Sequence, residues 1–196
     1  MHPIVVGISG GSGAIYGVRI LEVLQKLGID THLVITQHGL ATLRYETDYT
    51  AKDLRKLATV THPVRDIGAA IASGSFLTQG MIVAPCSVKT LSGIVNSYGD
   101  NLLIRAADVT LKEKRKLVLM VREVPLHLGH LRLLTAAAEI GATIFPPLPA
   151  FYAHPKTVED IVAYSVGRVL DQFGIDTGIP RWTGQKKAEQ SCADLQ

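Results

Sequence analysis

Short apolar runs and longer amphipathic segments alternate along most of the chain. Residues 4–8 form the apolar run Ile-Val-Val-Gly-Ile, which ends in a glycine loop, and residues 14–27 then carry apolar side chains three and four positions apart. A continuous apolar run is typical of a strand buried on both faces, whereas a spacing of three and four is typical of an amphipathic helix. The pattern therefore predicts a strand, a loop and a helix.

The same alternation continues toward the end of the chain. Five more strands are predicted, at residues 31–36, 59–62, 81–84, 116–121 and 142–145. Helices are predicted at residues 40–58 with a break near residue 49, and at residues 88–97, 102–114, 128–140 and 157–173. Buried strands that alternate with helices form a parallel sheet covered on both faces. We expect a single doubly wound, Rossmann-like α/β domain with a mostly parallel sheet and helices on both faces.

Length and composition agree with one domain. The chain has 196 residues, of which 47% are hydrophobic and 19% are charged, and this is enough for one core but not for two of ordinary size. The composition becomes polar after Trp182, where residues 186–191 read Lys-Lys-Ala-Glu-Gln-Ser. We therefore predict a folded domain over residues 1–182 and a polar, disordered tail over residues 183–196.

Charge and cysteine content argue against several classes of protein. Twenty Lys and Arg against 17 Asp and Glu leave a net charge of +3, without the broad basic face, interleaved with aromatic side chains, that is usual in nucleic-acid binders. The first apolar run is too short for a signal peptide, and no run of about 18 apolar residues predicts a membrane helix. Cys86 and Cys192 form no paired motif, which favours a reducing compartment. We expect a cytoplasmic protein that binds neither nucleic acid nor membrane.

The loops after two of the strands contain the most informative residues. In a doubly wound sheet, ligands bind beyond the carboxyl ends of the strands where the winding reverses, which selects the loops after residues 4–8 and 81–84. Residues 10–13 read Gly-Gly-Ser-Gly, and their backbone N–H groups at the start of a helix favour a bound phosphate. A tight turn without a ligand would use the same glycines. Residues 85–90 read Pro-Cys-Ser-Val-Lys-Thr and place two hydroxyl groups at another helix start.

Common phosphate and catalytic motifs do not account for these loops. The Walker motif lacks its Gly-Lys-Ser/Thr, and the equal spacing of Gly7, Gly10 and Gly13 does not match G-x-G-x-x-G. Residues 7–11 formally match the nucleophile elbow G-x-S-x-G, but that elbow follows several strands in a larger domain. Cys86 lies at a helix start, where a thiol can be activated. Its apolar neighbours and the lack of a nearby histidine favour a buried core cysteine instead.

Three further segments carry residues that could form a site. His127 and His130 are three residues apart but have no acidic or thiol partner nearby, so no metal site is predicted. Residues 146–155 form a proline-stiffened aromatic loop that either walls a pocket, clamps a neighbouring subunit or serves only as a rigid connector. Arg122 and Glu123 directly follow a predicted strand, and a charged pair at this edge of the sheet is more often functional than structural.

Together, these motifs resemble those of the flavin prenyltransferase family, the UbiX-like proteins once described as phenylacrylic or hydroxybenzoate decarboxylases. The similar segments run from residue 5 to about residue 182 and read G-I-S-G-G-S-G-A, Y-E-T-D, S-G-S-F, P-C-S-V-K-T-L, R-A-A-D-V-x-L-K-E, V-R-E-x-P-L, P-P-x-P-A-F-Y and V-x-R-V-L-D-Q-F-G. Each segment is weak evidence alone, whereas the combination is specific. One departure is Gly11, where the family usually has Ala or Thr; glycine retains the backbone donor of the turn.

The resemblance implies a metal-independent prenyltransferase. It implies that dimethylallyl phosphate and reduced FMN are joined at N5 and C6 of the flavin, and that prenylated FMN passes to a UbiD-type decarboxylase in ubiquinone synthesis or in aromatic acid breakdown. It also implies a homo-oligomer, expected to be a dodecamer with sites between subunits. Two alternatives remain open: a non-catalytic flavin-binding subunit of a hydroxyarylic acid decarboxylase, and a flavin-dependent cysteine decarboxylase. The latter would carry an Asn in the loop at residues 85–90, and none is present.

The resemblance also assigns roles to individual residues. The residues expected to hold FMN are Gly10, Gly11, Ser12, Thr36, Ser87, Val88, Lys89, Thr90, Arg105 and Arg122. The residues expected to bind the prenyl donor are Lys112, Arg122, Tyr152, Arg168 and Trp182. The residues expected to take part in the chemistry are Ser12, Glu46, Lys112 and Glu123. Glu123 is a candidate for proton transfer, and the alternative is that it only orients Arg122.

Overall fold

The structure, a computed structural model, describes residues 2–184. Within them, six strands form one sheet: β1 (Ile4–Ile8), β2 (Thr31–Ile35), β3 (Val60–His62), β4 (Gly80–Cys86), β5 (Lys116–Val121) and β6 (Thr143–Ile144). Their order across the sheet is β3-β2-β1-β4-β5-β6, and every neighbouring pair is parallel. The winding therefore reverses between β1 and β4, and the predicted doubly wound fold is confirmed.

Helices cover both faces of this sheet. Those of the described residues are α1 (Ala14–Lys26), α2 (Gln37–Glu46), α3 (Ala51–Leu57), α4 (Val88–Val95), α5 (Leu102–Lys112), α6 (Leu128–Glu139) and α7 (Val158–Asp171). The apolar residues of α1, α2, α3 and α7 form one core cluster with the sheet, and those of α4, α5 and α6 form the other. In the described part of the chain, no helix is both long and apolar enough to cross a membrane.

The predicted elements are present, with small differences at their ends. The helix predicted over residues 40–58 is divided into α2 and α3 at the predicted break, and α2 begins three residues early. The early start has a local cause, because the Thr36 hydroxyl caps α2 by accepting a hydrogen bond from the Gly39 N–H at 3.0 Å. Most of the predicted disordered tail, residues 185–196, lies outside the described residues.

Strand β4 is longer than the sequence indicates. Pro85 and Cys86 were expected in the loop, since proline cannot donate to a sheet ladder. The ladder between β4 and β5 does shift its register after Val83, but Cys86 then pairs with Val121. Cys86 is consequently fully buried in the sheet, and the loop proper begins at Ser87.

Two glycines let helices approach the central strands closely. A Cβ atom at Gly17 of α1 would overlap the carbonyl oxygen of Ala84, and one at Gly39 of α2 would lie 2.7 Å from the carbonyl oxygen of Ile8. Both oxygens belong to the backbone of central strands, which cannot move aside as a flexible side chain can. These glycines therefore set the distance of α1 and α2 from the sheet.

Replacing Gly17 by alanine is expected to lower the free energy of unfolding by about 1–3 kcal/mol, because the added methyl group overpacks the contact between α1 and β4. Gly68→Ala is the matched control, since Gly68 is exposed and the new Cβ would lie 3.6 Å from its nearest neighbour, a carboxylate oxygen of Asp66. The control should change stability by less than about 0.5 kcal/mol. Urea unfolding followed by circular dichroism measures both variants, and equal midpoints would contradict the close packing at Gly17.

Candidate active site

A single buried side chain, that of Ser9, joins the ends of β1 and β4. Its hydroxyl donates to the carbonyl oxygen of Pro85 at 2.9 Å and accepts from the N–H of Ser87 at 2.8 Å. Its own N–H donates to the same Pro85 oxygen at 3.1 Å. Because Ser9 is only 1% exposed, these bonds are shielded from water. Ser9 thereby holds together the two loops that the sequence selects, although sequence reasoning did not single it out.

The glycine loop after β1 presents free backbone donors. Within residues 2–184, the N–H groups of residues 10–12 have no hydrogen-bond partner. The next two, those of Gly13 and Ala14, donate to one carboxylate oxygen of Glu46 at 2.7 and 3.0 Å. The expectation that Gly13 contributes to the phosphate site is therefore corrected, because Glu46 caps the start of α1. A phosphate in this loop would use the three preceding N–H groups.

The loop after β4 uses its hydroxyl groups mainly to begin α4. The Ser87 hydroxyl accepts from the Thr90 N–H at 3.3 Å and donates to the Thr90 hydroxyl at 3.1 Å. Val88 and Lys89 lie between them, and Lys89 is exposed. Lys89 also lines a cavity of about 390 Å³ between α4 and the start of α5. Lys89 therefore supplies the accessible positive charge of this loop.

The loop after β2 lies against the glycine loop. The Thr36 N–H donates to the carbonyl oxygen of Ile8 at 2.9 Å. A Cβ atom at Gly10 would lie only 2.5 Å from the Cβ of His38, so the two loops are in close contact. We call the space bounded by residues 9–13, 36–38 and 85–90 the carboxyl-edge crevice.

Arg122 and Glu123 lie at the same edge of the sheet. The Arg122 N–H donates to the carbonyl oxygen of Cys86 at 3.4 Å, beside the loop after β4. Burial raises the pKa of Tyr16 on α1, and the positive charge of Arg122 opposes that rise. The charge of Arg122 thus acts on Tyr16, a residue that sequence reasoning did not identify because its helical surroundings are apolar. The charged pair and the crevice therefore adjoin each other.

The Glu123 carboxylate is exposed, and it accepts from the N–H of Val124 at 3.2 Å. Among the ion pairs of the described residues, none joins Glu123 to Arg122. The arrangement leaves the second carboxylate oxygen accessible to a ligand. It offers no geometric support for a role restricted to orienting Arg122.

Two other sequence candidates have structural roles. Burial raises the pKa of the Cys86 thiol to about 12, so the thiol stays protonated, and the interpretation as a core cysteine is confirmed. His127 caps α6, where its Nδ1 atom accepts from the Gly129 N–H at 3.0 Å, and its ring stacks on that of His130. No group of three or more potential metal ligands occurs within residues 2–184.

A second cluster of predicted site residues lies along α7. The Tyr152 ring packs edge-on against the rings of Tyr164 and Trp182, with centroid distances of 6.0 and 5.5 Å. The hydroxyl groups of Tyr152 and Tyr164 are hydrogen-bonded to each other. Arg168 follows Tyr164 by four residues, which is one turn of the same helix face. The structure therefore brings Tyr152, Trp182 and Arg168 together through Tyr164, which the sequence motifs did not identify.

Lys112 does not join this cluster within one chain. It ends α5, on the opposite face of the sheet from α7. Its ammonium group pairs with Glu113, whose pKa it lowers, and lies beside Gly74. Arg105, also on α5, donates to the carbonyl oxygen of Ala72 at 3.3 Å and pairs with Asp108. In the described contacts, both cations hold the loop at residues 72–76.

Comparison with known proteins agrees with these features. A family model described as Flavoprotein matches residues 1–170. The flavin prenyltransferase UbiX of Thauera aromatica is 62% identical over 187 residues, which cover 95% of this chain and 96% of that protein.

Two solved structures are also similar. AnUbiX (PadA1) in complex with FMN and dimethylallyl pyrophosphate has a TM-score of 0.93 at 47% identity, covering 94% of this chain and 99% of that one. A dodecameric FMN-dependent UbiX-like decarboxylase from Escherichia coli O157:H7 has a TM-score of 0.91 at 49% identity, covering 93% and 100%. With sequence, fold and motif positions in agreement, the chain belongs to the flavoprotein family and, within it, to the UbiX flavin prenyltransferases.

Proposed function

We propose that this protein transfers a dimethylallyl group from dimethylallyl phosphate to N5 and C6 of reduced FMN. The observation that carries the proposal is the similarity to flavin prenyltransferases over 95% of the chain, with the shared motifs after β1, β4 and β5 collected at one edge of the sheet. The product, prenylated FMN, would serve a UbiD-type decarboxylase. We place this activity in the cytoplasm, because the sequence favours a reducing compartment.

The carboxyl-edge crevice is the proposed flavin site. Its free N–H groups at residues 10–12 suit a phosphate, and the loop after β4 carries one exposed cation, Lys89. The backbone of Arg122 adjoins the crevice on the β5 side, where its N–H donates to Cys86. These residues therefore fit a flavin nucleotide, whose phosphate and ring edge both need donors.

Replacing Ser9 by alanine tests this site. The change leaves the partly buried Ser87 N–H without its partner, which costs about 1–3 kcal/mol and loosens the loop after β4. We expect FMN to bind about tenfold more weakly, equivalent to about 1.4 kcal/mol. Fluorescence titration of flavin-free protein measures this, with Ser92→Ala on α4 as the control. Wild-type affinity in the Ser9 variant would contradict the assignment of the crevice.

The donor phosphate is proposed to bind Lys112, Tyr152 and Arg168. Two cations and a hydroxyl stabilise the charge that the phosphate gains as its bond to the allyl carbon breaks. The ring faces of Tyr152 and Trp182 stabilise positive charge on the allyl group. Glu123, with its accessible carboxylate oxygen, takes up protons released from the flavin as the new bonds form.

The function is tested by incubating the pure protein anaerobically with reduced FMN and dimethylallyl phosphate. Mass spectrometry should find a flavin heavier by one prenyl unit. A non-catalytic flavin-binding subunit or a cysteine decarboxylase would return FMN unchanged. In the same assay Glu123→Gln should lose about 10²–10⁴ in rate while FMN affinity stays near that of the wild type. A Gln variant within a few-fold of wild type at every pH would refute proton transfer by Glu123.

We also propose that the donor site forms between subunits of a homo-oligomer, expected to be a dodecamer. Lys112 and Arg168 lie on helices that pack on opposite faces of the sheet, and no described contact within one chain joins them. A neighbouring copy can supply the missing cation, and the similar protein from E. coli O157:H7 is dodecameric. A shared site would explain why its ligands are so far apart in one chain.

Mixed oligomers test the shared site. Lys112→Ala and Arg168→Ala should each be strongly impaired, whereas oligomers co-assembled from equal amounts of both chains should regain activity at about one quarter of their sites, those with both cations intact. The control mixes Lys112→Ala chains with chains that carry both substitutions, because Lys112 is then absent from every site. A mixture no more active than either variant alone would contradict a site that takes the two cations from different chains.

A further inference from the structure

One carboxylate, that of Asp171, binds two guanidinium groups at the end of α7. Its Oδ2 atom accepts from Nη1 of Arg168 at 2.8 Å and from Nη1 of Arg181 at 2.9 Å. Its Oδ1 atom accepts from Nη2 of Arg181 at 2.8 Å. The Asp171 side chain is 14% exposed, and hydrogen bonding from Arg181 lowers its pKa. Asp171 is therefore ionised at neutral pH and holds Arg181 in a bidentate pair.

The segment that carries Arg181 runs back along α7. A Cβ atom at Gly167 would overlap Ile179, so this glycine lets the segment lie directly on the helix. Arg181 makes a second ion pair, with Asp176 at 2.8 Å, within the segment itself. The contact with Asp171 is the one that ties the end of the segment to α7.

This tie determines the position of Trp182. Trp182 directly follows Arg181, is 60% exposed and packs edge-on against Tyr152. A side chain so exposed has little packing to hold it in place, and the ion pair of the preceding residue limits where its backbone can lie. Asp171 is thus connected to Trp182 through Arg181.

Asp171 also binds Arg168, but through only one of the three guanidinium nitrogens. Among the described residues, Nε and Nη2 of Arg168 have no partner, and its side chain is 44% exposed. Since Arg181 takes Oδ1 and shares Oδ2, Asp171 leaves Arg168 only a single bond. Without Arg181, both oxygens would be open to Arg168, and a bidentate pair would compete with any anion for the same nitrogens.

We infer that Asp171 and Arg181 are positioning residues of the donor site: Asp171 orients Arg168 with its free nitrogens toward the phosphate and, through Arg181, seats Trp182 against Tyr152. The geometry is independent of ligand identity, and the link to the prenyl donor rests on the proposed function. The sequence motifs connect Arg168 and Trp182 with the donor but assign no role to the ion pairs between them.

Trp182 is the only tryptophan of the chain, so its fluorescence reports on its own position. In FMN-saturated protein, Asp171→Asn and Arg181→Gln should shift its emission to longer wavelength and lower its anisotropy, because the ring leaves Tyr152 for water. The KM for dimethylallyl phosphate should rise about tenfold or more, while FMN affinity stays within about twofold. Arg181→Lys, which retains the charge but not the bidentate pair, should lie between wild type and Arg181→Gln.

Asp176→Asn is the matched control. The Asp176 side chain is 74% exposed and carries the other carboxylate that binds Arg181. The substitution removes this carboxylate and leaves both hydrogen bonds between Arg181 and Asp171 in place. Emission and donor KM should stay close to wild type in this variant. Equal effects of Asp176→Asn and Asp171→Asn would overturn the inference, since any loss of charge near Arg181 would then suffice.

The remaining outcomes separate the inference from the proposed function. If Arg168→Ala raises the donor KM but Asp171→Asn and Arg181→Gln do not, the inference is overturned and the proposed donor site stands. If Arg168→Ala leaves the donor KM unchanged, the proposed donor site is wrong and the inference falls with it. Unchanged Trp182 emission in both positioning variants overturns the inference whatever the KM values are.

Discussion

The closure of β1 against β4 by the buried Ser9 hydroxyl is the interaction on which the crevice depends. The winding of the sheet reverses at this pair of strands, so α1 and α4 leave toward opposite faces and open a space between their starts. Ser9 spans that space with bonds to Pro85 and Ser87, and a buried hydroxyl with both partners satisfied makes the local structure rigid. Ligand donors on either side thereby keep a constant separation.

The chain's own carboxylates decide which donors are left for anionic ligands. Glu46 takes the N–H groups of Gly13 and Ala14, so the free donors of the glycine loop are those of residues 10–12. Asp171 takes one nitrogen of Arg168 and both of the terminal nitrogens of Arg181. In each case a carboxylate binds some of the hydrogen-bond donors and leaves others free, so an anion can bind the free donors in a defined orientation.

The two faces of the sheet carry different parts of the proposed donor site. Lys112 lies with α5 on one face, whereas Tyr152, Arg168 and Trp182 lie around α7 on the other. The core between the sheet and its two helical layers is closely packed, so the sheet does not bend enough to bring Lys112 to Arg168. Assembly of several copies is the physical means by which such a site becomes complete.

The sequence by itself determined the parallel sheet, its two helical layers and the loops at its carboxyl edge, because strands buried on both faces are continuously apolar and helix starts carry local caps such as Ser87 and Thr157. The tertiary structure decided the partners of Ser9, which are 76 and 78 residues away, the capping of α1 by Glu46 and the face on which Lys112 lies. It also carried β4 through Pro85, where local propensity predicts a break. These features depend on which distant segments the fold brings within hydrogen-bond distance of each other. A local pattern of residues predicts helices and strands but not the contacts between distant segments.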